Sequence, residues 1–203
     1  MPRPADPSVP GATVADVQRC AWADSAPEYA VYHDEEWGTP LRGDDALFER
    51  LCLEAFQSGL SWITILRKRP AFRSAFAGFA IDAVAGFGAD DEARLMADAG
   101  IVRNRAKIAA AINNARVAQQ QPEGLSDLLW AFAPDGRRSR PATLADVPAT
   151  SPESVAMAKE LKRRGFAFVG PTTAYALMQA TGMVDDHVAD CFRAHRRSEP
   201  ARG

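Results

Sequence analysis

The sequence has no long run of apolar residues. Nowhere does it approach the ~18 consecutive apolar residues that a membrane-spanning helix needs. The first ten residues are rich in proline and contain no apolar stretch, unlike the apolar segment of a secretory signal peptide. These two absences predict a soluble protein, without membrane segments, that works in the cytoplasm.

Cysteine is scarce, and neither sign of charge dominates. Three cysteines are scattered along 203 residues, which is unlike the dense disulfide framework of a small secreted protein and favours a reducing compartment. Lys and Arg total 24 against 26 Asp and Glu, a formal charge of −2, so the chain has no global basic field for a polyanion. Any contact with nucleic acid must therefore be local.

Sustained apolar/polar alternation, the mark of strands, is also missing, whereas helical periodicity is present. In the clearest helix, Asp44 or Asp45 is the predicted cap, and apolar residues recur at three- and four-residue steps from Leu47 to Phe56. Further helices are predicted at 70–76, 90–99, 103–119, 126–132, 151–164 and 171–182. The sequence therefore predicts an all-α fold.

The two ends of the chain differ from its body. Residues 1–18 are rich in proline and alanine, residues 195–203 are rich in arginine, and neither segment has a periodic pattern. Both are predicted to be flexible tails. Residues 19–194 are predicted to form one domain, which at this length buries a core without disulfides.

Two cysteines and two histidines form pairs with metal-ligand spacing. His187 and Cys191 are four residues apart and share a face if the segment is helical, and Cys20 and His33 make a second pair. Either pair alone is more typical of a packed thiol beside an imidazole. Together, however, they use two of only three cysteines and two of only three histidines. This economy favours one Cys2His2 site, and four protein ligands on zinc would leave no open position, as in structural sites.

Four other residues with side chains that could bind a metal are not assigned to this site. Cys52 lies in the apolar stripe of the first helix and is predicted to be a core residue, and His195 falls in the polar C-terminal tail. For Asp185 and Asp186, beside His187, two interpretations remain open. They orient the imidazole as hydrogen-bond acceptors, or they are exposed acidic residues near a helix start.

Aromatic residues crowd into the segment from Trp22 to Trp62, which also contains Tyr29, Tyr32 and Trp37. An ordinary aromatic core is one interpretation. Glu54 argues for another, because it lies in a mostly apolar helix end where an unpaired carboxylate is costly to bury. Aromatic faces with one negative group suit a flat, electron-poor or cationic ligand such as a methylated purine.

A glycine-bounded hairpin between two predicted helices is a candidate phosphate contact. Gly165 and Gly170 bound it, and Thr172 and Thr173 follow at the start of the second helix, where free amides bind anions. A turn beside a solvated, charged helix face is the alternative. Two further basic segments, at 67–69 and 103–107, would line one DNA-binding groove with the hairpin if the fold brought the three together.

Taken together, these motifs resemble the 3-methyladenine DNA glycosylase I family over about residues 19–191. The motifs that carry the resemblance are Arg19-Cys20-Ala21-Trp22, Tyr32-His33-Asp34-Glu35-Glu36-Trp37-Gly38, Leu53-Glu54, Gln57-Ser58-Gly59-Leu60-Ser61-Trp62, Lys162-Arg163-Arg164-Gly165-Phe166 and Asp186-His187. The resemblance implies a helix-hairpin-helix DNA repair enzyme that cleaves the N-glycosidic bond of 3-methyladenine. It also implies one structural zinc ion, held by Cys20, His33, His187 and Cys191, which joins the N- and C-terminal segments.

The resemblance also implies roles for individual residues. Glu54 is the expected catalytic carboxylate, and the expected base-binding residues are Trp22, Tyr29, Tyr32 and Trp62. By analogy with related glycosylases, the segment with Gln57, Gly59 and Leu60 is expected to fill the gap left by a flipped nucleotide, whereas Asp185 and Asp186 are left out of the catalytic set.

Substrate, product and rival functions follow from the same resemblance. The expected partner is double-stranded DNA carrying 3-methyladenine, the free base is the expected product, and the chain is expected to act as a monomer without a lyase step. One rival is a DNA-damage binding module that does not cleave. A second is a zinc hydrolase of small molecules, which needs an open metal position.

Overall fold

The computed structural model describes residues 17–136 and 139–196. All regular structure in these ranges is helical, which confirms the predicted all-α class. The α-helices are α1 (Pro27–Glu35), α2 (Asp44–Gln57), α3 (Trp62–Ala75), α4 (Ile81–Ala85), α5 (Ala89–Ala97), α6 (Arg105–Gln119), α7 (Gly124–Trp130), α8 (Pro152–Arg163), α9 (Pro171–Ala180) and α10 (Phe192–Arg196). Short 3-10 turns lie at Ala21–Ser25, Ala77–Phe79 and Leu144–Asp146.

No helix in the described ranges is long and apolar enough to cross a membrane. Residues 1–16 and 197–203, which make up most of the predicted tails, lie outside the described residues. Between them, Val17 is buried against Cys20, and α10 extends to Arg196.

Helix α2 forms the centre of the core. Its side chains Leu47, Phe48 and Leu51 are fully buried, and it contacts α3, α4, α6, α7 and α9. The predicted cap is wrong, because Gly43 holds the N-cap position. Asp44 and Asp45 lie in the first turn, where their carboxylates accept hydrogen bonds from the amides of Ser126 and Ile81.

The helix predicted at 70–76 begins much earlier, at Trp62. Pro70 is therefore inside α3, where it cannot donate to the Leu66 carbonyl, and it does not mark a helix start. Proline at the first helical turn is a good start signal in general, and α8 and α9 do begin at Pro152 and Pro171. Helices α1 and α4 were not predicted, because both are short and neither has a long apolar stripe.

A strap at residues 37–41 crosses the end of α9. The Gly38 and Leu41 amides donate to the carbonyls of Gln179 and Thr181 at 3.0 Å each. Gly182, at φ +70°, allows this approach, since a Cβ there would lie 2.6 Å from the backbone of Thr39. The strap thus fixes the segment after α1 against the segment after α9.

A small second cluster joins the two ends of the described chain. Val17 and Cys20 pack with Cys191, Phe192 and Ala194, apart from the main core. The cluster brings the N- and C-terminal segments together beside α1 and the strap.

Candidate base-binding cavity and metal centre

A cavity of about 560 Å³ opens where α1, α2, α3 and α9 meet. The five side chains predicted to hold or act on a base all line it, namely Trp22, Tyr29, Tyr32, Glu54 and Trp62. Gln57, predicted for DNA contact, lines it as well. Side chains that are far apart in the sequence therefore meet in one cavity.

The aromatic rings of this cavity support one another. Trp22 meets Tyr29 edge-on at 5.6 Å between centroids, and Tyr32 lies 5.5 Å from Trp62. The Tyr29 hydroxyl also accepts a hydrogen bond, 2.9 Å long, from the Ile63 amide at the start of α3. Because these rings are held by contacts with one another and with the backbone, the cavity offers preformed π faces to a flat ligand.

Glu54 is the buried carboxyl group of the cavity. It lies in the last turn of α2 and is 5% exposed. Burial raises the pKa of Glu54 to about 8, against which the charge of Arg50 acts only in part. At neutral pH the empty cavity therefore contains a mainly protonated carboxyl group, which can both donate and accept a hydrogen bond.

The cation nearest to Glu54 is engaged elsewhere. Arg50 donates to Glu36 at 2.6 Å, and Arg69 donates to both oxygens of the same carboxylate at 2.7 Å. Burial works to raise the pKa of Glu36, but the hydrogen bonds from Arg69 and Arg50 outweigh it and hold the pKa at about 2. Arg50 thus acts on Glu54 through its field, from a position over the Tyr32 ring.

Several cavity residues were missed by the sequence reasoning. Trp37 belonged to the noted aromatic segment but was given no role, and Gln179 lies on a helix whose apolar pattern reports burial alone. The others are Ser25, Leu144, Val147 and Ala176. Leu144 and Val147 belong to a single 3-10 turn and its C-cap, which are too short for a periodic pattern to indicate which side chains face a ligand.

The four predicted metal ligands converge in one buried cluster. Cys20, His33, His187 and Cys191 are all buried, and their ligand atoms lie within 4.8 Å of one another. His33 is on α1, but His187 and Cys191 lie in an irregular segment and turn, so the proposed helical pairing is wrong. A hydrogen bond from the Cys191 amide to the Val188 carbonyl closes that turn and brings the two ligands together.

Three distances within the cluster match the separations between the ligands of a tetrahedral metal site. Sγ of Cys191 lies 3.4 Å from Nε2 of His33 and 3.6 Å from Nδ1 of His187, and Sγ of Cys20 lies 3.8 Å from that Nδ1. Ligands on zinc, at about 2.3 Å for sulfur and 2.0–2.1 Å for nitrogen, are separated by about 3.4–3.8 Å. The residues present therefore fit a four-coordinate metal.

The imidazoles of both histidines are oriented through their second nitrogens. Nδ1 of His33 lies 2.8 Å from the Asp34 carboxylate, which Arg19 holds with two nitrogens. Nε2 of His187 lies 3.2 Å from the Trp37 carbonyl. This leaves the other nitrogen of each ring free to face the cluster, as is usual for metal-binding histidines.

Neither acidic neighbour of His187 accepts from its ring. Asp186 is 8% exposed and accepts hydrogen bonds from Tyr175 and Gln179, so it is not an exposed acidic residue either. Asp185 pairs with Arg140 and accepts from the His187 backbone amide. The orienting group for His187 is the strap carbonyl, which no sequence pattern indicated.

Lys107 fixes the start of the loop between α2 and α3 by hydrogen bonds to its backbone. Its ammonium donates to the carbonyls of Phe56 at 2.9 Å and Ser58 at 2.5 Å, and burial lowers the pKa of Lys107. Gly59 takes φ +81°, and Leu60 next to it is 41% exposed. The loop therefore presents an apolar side chain to solvent between Gln57 and Trp62, which line the cavity, and Lys107 is not part of a solvent-facing basic patch.

The hairpin between α8 and α9 is bounded by glycines as predicted. Gly165 takes φ +98° after α8, and Gly170 is the N-cap of α9. Thr172 is exposed and Thr173 is half-buried at the start of α9. The hairpin and the exposed N-terminus of α9 thus offer free amides to solvent.

The basic set at 67–69 is committed to contacts within the protein. Arg67 pairs with Glu28, Lys68 donates to the carbonyls of Ala99 and Gly100, and Arg69 binds Glu36 as described above. By contrast, Arg103 and Arg105 are exposed. The cations at 67–69 are therefore paired within the protein, whereas Arg103 and Arg105 face solvent.

Comparisons with known proteins agree with this geometry. A family model described as methyladenine glycosylase matches residues 22–194. The DNA-3-methyladenine glycosylase 1 of Escherichia coli (strain K12) is 44% identical over 179 residues, which cover 86% of this chain and 96% of that protein. A crystal structure of 3-methyladenine DNA glycosylase I has a TM-score of 0.82 and 44% identity, covering 86% of this chain and 98% of the other. A variant of such an enzyme, crystallised in complex with 3-methyladenine, has a TM-score of 0.81 and 34% identity, covering 91% and 99% of the two chains.

Proposed function

The chain belongs to the methyladenine glycosylase family, and on that basis we propose that it is a DNA repair enzyme that removes 3-methyladenine from alkylated double-stranded DNA. The observation that carries the proposal is the buried carboxyl group of Glu54 in a cavity of preformed aromatic faces. Working in the cytoplasm as a monomer, the enzyme releases the free base and leaves an abasic site.

The enzyme reaches the glycosidic bond by turning the damaged nucleotide out of the duplex. Extrusion costs a few kcal/mol, less for a damaged base than for a paired one. Stacking of the base on aromatic rings, worth about 1–3 kcal/mol per base, offsets that cost. Trp22, Tyr29, Tyr32 and Trp62 supply the rings.

Cleavage of the glycosidic bond then needs only modest catalysis by the protein. Methylation at N3 places a positive charge on the adenine, so the base is already a good leaving group. As the cationic nucleotide enters, its charge lowers the pKa of Glu54, and the resulting carboxylate accepts a hydrogen bond from the N–H edge of the base. Water supplies the oxygen that bonds to the sugar carbon, the bond to the base nitrogen breaks with its electron pair, and a proton returns to solvent.

The lining of the cavity supports a single hydrolytic step without a lyase reaction. No lysine or cysteine is found among the described residues that line it. A lyase step needs an amine that forms a Schiff base with the sugar carbon.

The metal cluster has a structural role in this proposal. Cys20, His33, His187 and Cys191 would hold a zinc ion, and its four bonds would join the N- and C-terminal segments. The four donors leave no position for water, which disfavours a zinc hydrolase.

The DNA backbone is held by the helix-hairpin-helix element formed by α8, the hairpin and α9. Gly165 and Gly170 let the backbone approach a phosphate, and Thr172 and Thr173 donate at the N-terminus of α9. Gln57, Gly59 and Leu60 fill the space left by the extruded nucleotide.

Replacing Leu60 with alanine is expected to weaken binding to duplex DNA that contains an abasic site. The exposed part of a leucine side chain contributes about 1 kcal/mol when it becomes buried, or about fivefold in Kd. Fluorescence anisotropy with labelled abasic duplex measures the change. Val31→Ala, which shortens a similarly exposed aliphatic side chain on α1, serves as the control, and equal affinities of the two variants would contradict the proposed role of Leu60.

The activity itself is tested by incubating the purified protein with methylated duplex DNA and separating the released bases by chromatography. We expect 3-methyladenine to be released. The rival binding module predicts tight binding to the lesion with no base released.

A further inference from the structure

Asn114 is a buried polar side chain that bonds to the backbone of the hairpin between α8 and α9. It lies on α6 and is 1% exposed. Its Oδ1 accepts a hydrogen bond from the Ala167 amide at 2.8 Å, and its Nδ2 donates to the Ala167 carbonyl at 3.0 Å. One side chain thus pairs with both backbone groups of Ala167, as a residue on a neighbouring antiparallel strand would.

The hairpin is also held on either side of this residue. Asn113, the preceding residue of α6, donates from Nδ2 to the Gly165 carbonyl at 2.9 Å. The side chains of Phe166 and Val169 are buried in the main core. Ala167 lies between these two core residues, so the hydrogen bonds described above fix the part of the hairpin that the core does not.

The fixed segment has a conformation that its own residues do not favour. Phe168 takes φ +59° and is 44% exposed, and a bulky side chain rarely accompanies a positive φ. Such a conformation persists only where surrounding contacts impose it, and it is typical of sites that bind or react. The two hydrogen bonds from Asn114 to the residue just before Phe168 are contacts of this kind.

The hairpin leads directly into the N-terminus of α9. Gly170 is the N-cap and has no side chain to bond the first amides of the helix. Thr172, in the first turn, is exposed. A change of backbone conformation at residues 167–169 would displace Gly170 and the backbone beside these amides, where a phosphate binds in the proposed function.

We propose that Asn114 is a positioning residue for DNA binding, which with Asn113 holds the hairpin in the conformation that contacts a phosphate of the duplex. The proposal rests on the proposed function, in which the hairpin and α9 bind the DNA backbone. Asn114 is buried and acts through the hairpin. It sets the fraction of molecules whose hairpin is ready to bind, and the apparent Kd for duplex DNA rises as that fraction falls.

The test variant is Asn114→Leu, which keeps a similar side-chain volume but removes both hydrogen bonds to Ala167. If the binding conformation is then present about a tenth of the time, the Kd for a labelled duplex with an abasic site rises about tenfold. Fluorescence anisotropy measures this change. Binding of free 3-methyladenine, followed by quenching of tryptophan fluorescence, should keep its wild-type Kd because other residues form the cavity. An unchanged Kd for the duplex overturns the proposal.

Ser154→Ala is the matched control for a general loss of stability. Ser154 is fully buried and exchanges hydrogen bonds with Ser151 at the start of α8, the opposite end of that helix from the hairpin. We expect this variant to have a lower Tm and the wild-type affinity for the duplex. Equal losses of duplex affinity in Ser154→Ala and Asn114→Leu would assign the effect to stability and overturn the proposal.

Hydrogen exchange tests directly whether Asn114 orders the hairpin. We expect the amides of residues 165–170 to exchange about tenfold faster in Asn114→Leu than in Ser154→Ala. Faster exchange there with an unchanged Kd for the duplex would show that DNA binding does not use the order of the hairpin, and it would overturn the proposal.

A milder variant covers the case in which Asn114→Leu does not fold. Asn113→Ala removes the hydrogen bond to the Gly165 carbonyl and leaves those to Ala167 in place. We expect about threefold weaker binding to the duplex and unchanged binding of 3-methyladenine. Duplex binding equal to that of the wild type overturns the proposal here as well.

The rate of base release separates this proposal from the excision activity. At saturating protein, Asn114→Leu should release 3-methyladenine at the wild-type rate, because only the affinity for DNA changes. A wild-type protein whose duplex binding depends on Asn114 but which releases no base supports this proposal and contradicts the proposed excision activity alone.

Discussion

Glu54→Gln is expected to lower release of 3-methyladenine at least a hundredfold. The amide cannot become negative, so it removes the charge that faces the cationic base, and acid–base and electrostatic groups of this kind contribute about 10²–10⁴-fold in enzymes. Single-turnover chromatography of released base measures the effect, and full excision by this variant would count against the role of Glu54. Glu92→Gln, a half-buried glutamate on α5 away from the cavity, is the control.

The same substitution should also change how stability depends on pH. The pKa of Glu54 is raised from its ordinary value of 4.5 to about 8 by burial, so between these values the folded protein keeps a proton that the unfolded chain has lost. The contribution of Glu54 to the stability of the wild type therefore falls as the pH rises from 4.5 to about 8. Glutamine does not titrate, so its contribution to stability does not change over this range. Relative to the wild type, the free energy of unfolding of the variant should therefore rise by about 3 kcal/mol between pH 5 and pH 8.

Thermal unfolding at the two pH values checks this expectation. For a protein of this size, a gain of about 3 kcal/mol is a rise in Tm of roughly 6–12 °C relative to the wild type. A difference in Tm that is the same at pH 5 and at pH 8 would show that Glu54 is not buried in its protonated form.

Cys191→Ser is expected to release the metal and to destabilise the fold. The substitution removes a ligand from a fully buried four-residue cluster, and loss of a structural metal site costs several kcal/mol. A loss of about 4 kcal/mol lowers Tm by roughly 8–16 °C. Metal analysis and thermal unfolding measure the two effects together.

Cys52→Ala provides the matched control for that experiment. Cys52 is also fully buried, but it lies in the main core on α2, away from the cluster. Its zinc content should equal that of the wild type, with only the modest cost of a smaller side chain. If Cys191→Ser abolished base release and left Tm unchanged, the metal would have a catalytic role and the hydrolase interpretation would return.

The four-residue Cys/His cluster was predictable because these residue types are rare in this chain. The four residues Cys20, His33, His187 and Cys191 were chosen by the chemistry of their side chains alone. They meet in the structure although the assumed helix between His187 and Cys191 does not exist. Glu54 was found for a similar reason, since a carboxylate in an apolar helix end needs an explanation. Rare or costly residues thus identify sites even where the local structure is misjudged.

What the sequence could not supply was the choice of partner for each polar group. Lys107 looks like a surface cation but donates to the carbonyls that end α2. The Trp37 carbonyl faces His187 because the strap meets the end of α9, and the two come together only in the folded protein. Periodicity reports which face of a helix is buried, whereas these contacts depend on tertiary packing.

The Cys/His cluster also limits how early the protein can finish folding during its synthesis. Cys20 and His187 are 167 positions apart, so at translation rates of about 5–20 residues per second the first ligand waits roughly 10–30 s for its partners. During that interval His33 is the one other member of the cluster that Cys20 can approach, although the turn after Cys20 can already pack on α1. The main core waits as well, because it includes residues of α9 and Val184, so the core and the four-residue cluster are completed almost together at the end of synthesis.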